Sequence, residues 1–166
     1  MSNRRKIERA PDETRPHIVV KKARRLLELW QDGQVLACFP IALGSSPLGP
    51  KRLEGDGCTP EGEYYICTRN EASRYYLALG LSYPNRHDAD AGLKAGVISA
   101  ACYRKIDDAQ RRRARPPWDT ALGGAIMIHG MGAGRDWTAG CIALENGDMD
   151  VLWSRCPLGT PVSIEP

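Results

Sequence analysis

Residues 126–144 read IMIHGMGAGRDWTAGCIAL. A short apolar run over 125–129 ends in a histidine, a glycine-rich loop follows, and a cysteine emerges from Thr-Ala-Gly ahead of a second apolar stretch. Nucleophilic catalysis by a thiol needs a thiolate, a base to generate it, and backbone N–H donors for the oxyanion. His129 precedes Cys141 by twelve residues, enough chain for the loop to fold back and bring imidazole and thiol together. Gly140 permits a tight turn before Cys141, so that consecutive N–H groups can point at one developing charge. On these residues alone a second reading carries equal weight: a strand-end histidine beside a buried cysteine.

Outward from this stretch the chain reads as turn-rich and mainly β. HIVVKK (17–22) is a short strand, and the runs 24–30 and 34–43 flank Asp32-Gly33. Asp-Gly favours a two-residue hairpin turn, in which both central residues take positive φ. Pro40 cannot donate to a ladder and marks a bend or a sheet edge. GSSPLGPKRLEGDGCTPEG (44–62) is a loop of the length that usually carries function in a small domain. Strands are predicted at 63–69, 75–81, 125–129 and 161–165. A helical insertion is predicted between 88 and 115, stopped by Pro116-Pro117. A short helix follows Cys141, with acidic residues in its first turn favourable to the helix dipole.

The 166 residues suit a single domain, predicted as a basic segment over 1–16 followed by a folded unit over 17–166. The charged fraction of 26% and hydrophobic fraction of 42% argue against wholesale disorder. The net charge of +3 is uneven: residues 1–25 carry nine Lys/Arg against three Asp/Glu, and a second cluster runs Arg111, Arg112, Arg113, Arg115. Neither cluster interleaves aromatics for base stacking, so solvated charge is expected and nucleic acid is not an expected partner. The six cysteines contain no CxxC pair, and with His17, His87 and His129 they offer no close ligand spacing; neither a metal nor a cofactor is expected. Cys38 and Cys67 lie in apolar strand-like runs, where a free cysteine behaves as a small buried hydrophobe. The opening MSNRRKIERAPDETRPHIVV lacks the apolar core of a signal peptide, and no run is long enough to span a membrane. The expectation is a reduced, cytoplasmic protein, or a periplasmic one if an export signal precedes this sequence.

Four segments in order resemble the L,D-transpeptidase (YkuD-type) catalytic domain family. They are HIVVKKARRLLELW (17–30), LGSSPLGPKRLEGDGCTPEGEYYI (43–66), the IHG…TAGC pair, and CIALENGDMDVLW (141–153). The resemblance implies a mainly β, single-domain, sandwich-like fold with a helical insertion and short peripheral helices. It implies Cys141 as nucleophile and His129 as general base, oriented by the carbonyl of Gly130. It further implies Thr138 as support for the cysteine loop and N–H groups of Gly140 and Cys141 as the oxyanion hole. Tyr64, Trp137 and Arg135 are candidate substrate contacts. Two positions depart from the family's pattern: Ala139, where a histidine or basic residue is common, and Ala143, where Arg or Asn is usual. Arg135, Lys51 or Arg52 are the cations available to hold a substrate carboxylate instead. The implied substrate is a peptidoglycan stem peptide or muropeptide, cleaved between a diamino acid and D-Ala through a thioester. With water as second nucleophile the enzyme is an L,D-carboxypeptidase of muropeptide recycling; with an amine it is a cross-linking L,D-transpeptidase. A muropeptide-binding module without turnover is the reading from another class.

Overall fold

Asp32 and Gly33 take φ of 54° and 70°, and the expected two-residue hairpin joins β2 (Leu26–Gln31) to β3 (Gln34–Pro40). β1 (His17–Lys21) pairs antiparallel with β2 and parallel with the C-terminal strand, β8 (Pro161–Glu165). β8 then pairs with β4 (Gly62–Ser73), which runs on into a second sheet half with β5 (Tyr76–Leu81), β6 (Met127–His129) and β7 (Ile142–Ala143). The eight strands follow the order β3-β2-β1-β8-β4-β5-β6-β7. This computed structural model describes residues 12–166, so the basic segment predicted over 1–16 lies, as far as residue 11, outside the described residues.

The sheet curls until its ends meet. After Pro40 the chain leaves β2, and Ala42 forms an antiparallel bridge to Ala143 of β7, with N–H···O distances of 2.9 Å in both directions. Gly44 then bridges in parallel to Thr138. The 34–43 run is therefore a strand of β3 followed by a closing stitch, and Pro40 stands at the change. The core fills the inside of the curl: Ile18, Val20, Leu27, Leu29, Ile66, Leu79, Ile128 and Ile142 are each at most 1% exposed. Burial of such aliphatic side chains contributes about 1.5–3 kcal/mol each.

The helical insertion is two helices, α1 (Arg86–Lys94) and α2 (Ala100–Arg111), rather than one run from 88 to 115. Gly96, at φ 71°, ends the first, and Ser99 starts the second by accepting from Cys102 N at 3.1 Å. Asn85 and Asp88 form a capping box on α1. The pair has its own small core of Ala89, Ile98, Ile106 and Leu122. α3 (Asn146–Arg155) follows β7 directly. Among the described residues no helix is long and apolar enough to cross a membrane.

Three expectations need correction. Cys38 is exposed, because β3 is an edge strand with little packed on it. Cys67 is half-buried, and burial pushes its thiol up to about 11. Tyr64, expected at the substrate site, is 4% exposed and belongs to the core; its hydroxyl donates to Asp88 Oδ2 at 2.8 Å and ties β4 to α1. The arginine cluster, for its part, is engaged locally. Arg111 and Arg112 pair with Asp107 and Asp108, Arg113 lies over the Tyr65 ring and Arg115 over that of Trp118.

Candidate active site

β6 is short because it is fixed at both ends. The strand predicted over 125–129 begins only at Met127, because Ala125 takes φ 54°, and it gives way at Gly130, which bonds to the β4–β5 hairpin. Gly130 N–H donates to Tyr75 O at 2.9 Å, and a Cβ at Gly130 would lie 2.5 Å from Asn146 Oδ1. His129 is thereby held at the strand end, 3% exposed, stacked on Tyr75 (4.7 Å between centroids) and edge-on to Trp137 (5.5 Å). Its Nδ1 lies 2.8 Å from Gly130 O. A carbonyl only accepts, so Nδ1 carries the proton and Nε2 the lone pair. Burial lowers the His129 pKa below its ordinary 6.5, and the Gly130 contact only partly opposes this. The imidazole is neutral at neutral pH.

Cys141 enters from the partner strand. β6 and β7 are parallel, with Ile128 opposite Ile142 and His129 opposite Ala143, so Cys141, the residue before β7, is delivered beside the start of β6, the strand that ends in His129. Its Sγ accepts from Met127 N–H at 3.4 Å and donates to Ala125 O at 3.6 Å. Burial raises the thiol above its usual 9.0; the Met127 N–H and the charge of Lys51 pull it back in part. These shifts favour a neutral thiol and a neutral imidazole at rest.

Thr138, 6% exposed, shapes the turn that delivers the cysteine: its Oγ1 donates to Cys141 O at 2.7 Å and accepts from Gly140 N–H at 3.1 Å. That second bond engages Gly140 N–H, one of the two groups expected at the oxyanion hole, whereas Cys141 N–H, the other, has no acceptor among the described residues. Gly140 keeps its role in the turn, with φ 138° and a position where a Cβ would lie 2.7 Å from Cys58 O.

Two buried ion pairs hold the surrounding loops. Lys22 Nζ, from the end of β1, reaches Gly49 O, Thr59 O and Glu61 Oε1 at 2.7–3.0 Å and closes the 44–62 loop at its base. Within that loop Asp56 accepts from Lys51 Nζ and from the N–H groups of Arg52, Leu53 and Cys58. Burial works to raise Asp56, yet these donors together hold it at about 2. Lys51, a candidate for a substrate carboxylate, is 3% exposed and fully engaged with Asp56 and Leu53 O. On the other side Asp136 takes a two-pronged contact from Arg25 (3.0 and 2.7 Å) and a hydrogen bond from Leu43 N–H (2.9 Å). This fixes the residue before Trp137. Trp137 anchors the loop through Nε1–H to Gly132 O at 3.0 Å and presents its ring to His129. Arg135 is exposed and lines an open pocket of about 660 Å³ with Arg74, Tyr75, Met131 and Trp137. Asp136, Arg25 and Lys22 carry no signal in the sequence that singles them out; their partners lie 27 to 111 residues away.

The arrangement has counterparts in known proteins. Over 101 residues, 52% of this chain and 41% of the relative, the chain is 33% identical to the putative L,D-transpeptidase YafK of Escherichia coli. It superposes on the helical cell shape determining protein Pgp2 of Campylobacter jejuni with a TM-score of 0.64 at 25% identity, covering 93% of this chain and 48% of that one. An L,D-transpeptidase fragment from Xylanimonas cellulosilytica shares the fold at a TM-score of 0.55 and 13% identity, over 94% of this chain and 63% of that one. The chain thus spans about half or less of the length of YafK and Pgp2. The model of the YkuD L,D-transpeptidase catalytic domain matches residues 15–164, and this chain belongs to that family.

Proposed function

We propose that the protein is a cysteine-dependent acyl-transfer enzyme acting on peptidoglycan stem peptides, with water resolving the acyl-enzyme, an L,D-carboxypeptidase. One observation carries the reading. His129 Nδ1–H is committed to Gly130 O, which leaves Nε2 basic at the end of β6, the strand whose Met127 N–H bonds the Cys141 sulfur. In the first half-reaction Nε2 takes the Cys141 proton as sulfur bonds to the carbonyl carbon of the diamino acid; Cys141 N–H supports the oxyanion. Collapse breaks the C–N bond, and His129 returns the proton to the departing D-Ala nitrogen. Water then gives its proton to Nε2, attacks the thioester and releases the acid and the Cys141 thiol.

Transpeptidation, in which an amine replaces water, is favoured by the name of the YafK relative. The carboxypeptidase reading goes with recycling in the cytoplasm, the transpeptidase reading with wall synthesis outside it. Incubation with a tetrapeptide muropeptide, followed by mass, separates them. Loss of one D-Ala, abolished in Cys141→Ala, is the expected result. A cross-linked dimer establishes transpeptidation instead, and binding without any product establishes the non-catalytic module.

A further inference from the structure

Three cations of the surrounding loops are paired: Lys22 with Glu61, Arg25 with Asp136, Lys51 with Asp56. Arg74 and Arg135 differ. Both are exposed, neither is in an ion pair or hydrogen bond among the described residues, and both line the pocket walled by Tyr75 and Trp137, which no carboxylate lines. Arg74 sits at the tip of the β4–β5 hairpin, its guanidinium carbon 5.3 Å from the Tyr75 ring centroid. That same ring stacks on His129, and Trp137 touches the imidazole edge. The pocket therefore abuts the base rather than the nucleophile. Two guanidinium groups without an acidic partner, in a pocket walled by two aromatic rings, suit an anionic group such as a carboxylate.

The acyl-transfer reaction decides which carboxylate. His129 returns its proton to the departing nitrogen, and in a C-terminal residue the carboxylate carbon is two bonds from that nitrogen. We propose that Arg74 and Arg135 form a subsite for the free α-carboxylate of the departing residue, which makes the enzyme select terminal over internal bonds. This rests on the acyl-transfer reading, so the test has an arm without turnover. Cys141→Ala protein is titrated by calorimetry with a stem tetrapeptide and with the same peptide amidated at its C-terminus. The free acid binds about 10- to 100-fold tighter, as for removal of one side of a charge-assisted pair. Adding Arg74→Gln and Arg135→Gln erases the difference, and Arg74→Lys with Arg135 intact keeps most of it. With Cys141 restored, kcat/KM for acid over amide falls in the same way.

Equal affinity for acid and amide overturns the subsite even if the enzyme is active. So does a preference that survives both glutamines. A preference that needs the arginines in a protein inert toward tetrapeptide keeps the subsite and removes the acyl-transfer reading.

Discussion

Thr138→Val removes one hydroxyl and keeps the shape of the side chain. Two hydrogen bonds go with it, the 2.7 Å donation to Cys141 O and the 3.1 Å acceptance from Gly140 N–H. A neutral hydrogen bond contributes about 1 kcal/mol net, and a buried group left without a partner costs roughly 1–3 kcal/mol. Gly140 is buried, so its N–H is stranded, whereas the half-buried Cys141 finds water more easily. The expected loss is about 2–4 kcal/mol, or roughly 5–15 °C in melting temperature for a domain of this size. Thr138→Ser, which keeps the hydroxyl, stays within about 1 kcal/mol of the parent. The kinetic consequence is read by acylation of Cys141 with a carbapenem, followed by intact mass. Loosening of the turn displaces the nucleophile and slows acylation by about 10-fold or more in the valine variant only. A valine variant of parental stability and parental acylation rate refutes this account of the turn. One that acylates faster refutes the assignment of the oxyanion contact to Cys141 N–H alone, since the freed Gly140 N–H would then be its better donor.

Alkylation of Cys141 by iodoacetamide should be slow at neutral pH and rise as pH passes 9, because burial raises this thiol; reactivity that persists unchanged below pH 6.5 would reveal a thiolate–imidazolium pair instead. Base-assisted acylation should fall only as pH drops through the lowered His129 pKa, below 6.5, where the imidazole gains its proton. Asp56, at about 2 when folded against 3.8 ordinarily, contributes roughly 2 kcal/mol that is fully present above pH 3.8 and lost as pH falls through about 2. Denaturant titrations of Asp56→Asn and the parent should differ by that amount at pH 7 and converge near pH 2. Gly44→Ala should cost about 3 kcal/mol, measured by chemical denaturation, because its Cβ would overlap the Gly57 carbonyl oxygen, a backbone atom.

Features encoded over a few residues are legible in the chain itself. Asp32-Gly33 needs positive φ at both positions, and the hairpin has it at both. His129 and Cys141 are legible because an apolar run ending in histidine, a glycine loop and a cysteine after Thr-Ala-Gly leave enough chain for imidazole and thiol to meet; the two-residue strand β7 that follows the cysteine is not among the predicted strands. What stays hidden depends on distant partners. Nothing near Asp136 indicates Arg25, 111 residues away, and Lys22 reads as one more charge in a basic stretch although its ammonium holds three oxygens of the 44–62 loop. Tyr64 and Tyr65 alternate along β4, and alternation alone cannot say which side of a curled sheet is filled; both are buried. Cys38 misleads for the matching reason, since an apolar strand is covered only if the sheet continues beyond it.

Ala143 shows how one small residue links these parts. It is wholly buried, opposite His129 in β7 and bonded through both backbone groups to Ala42. A guanidinium there would have to be desolvated where two strands already close on the side chain, at a cost that small aliphatic packing avoids. With alanine the two ends of the sheet close, Gly44 comes so near that its Cβ would lie 3.0 Å from Gly140 Cα, and the 44–62 loop is seated against the cysteine turn. A fixed cation beside the reacting pair must then come from outside the sheet. The hairpin tip and the 130–140 loop carry Arg74 and Arg135, which line the pocket walled by Tyr75 and Trp137, the two rings packed on His129. A carboxylate held here would belong to the group that accepts the proton of His129, not to the acyl group on Cys141.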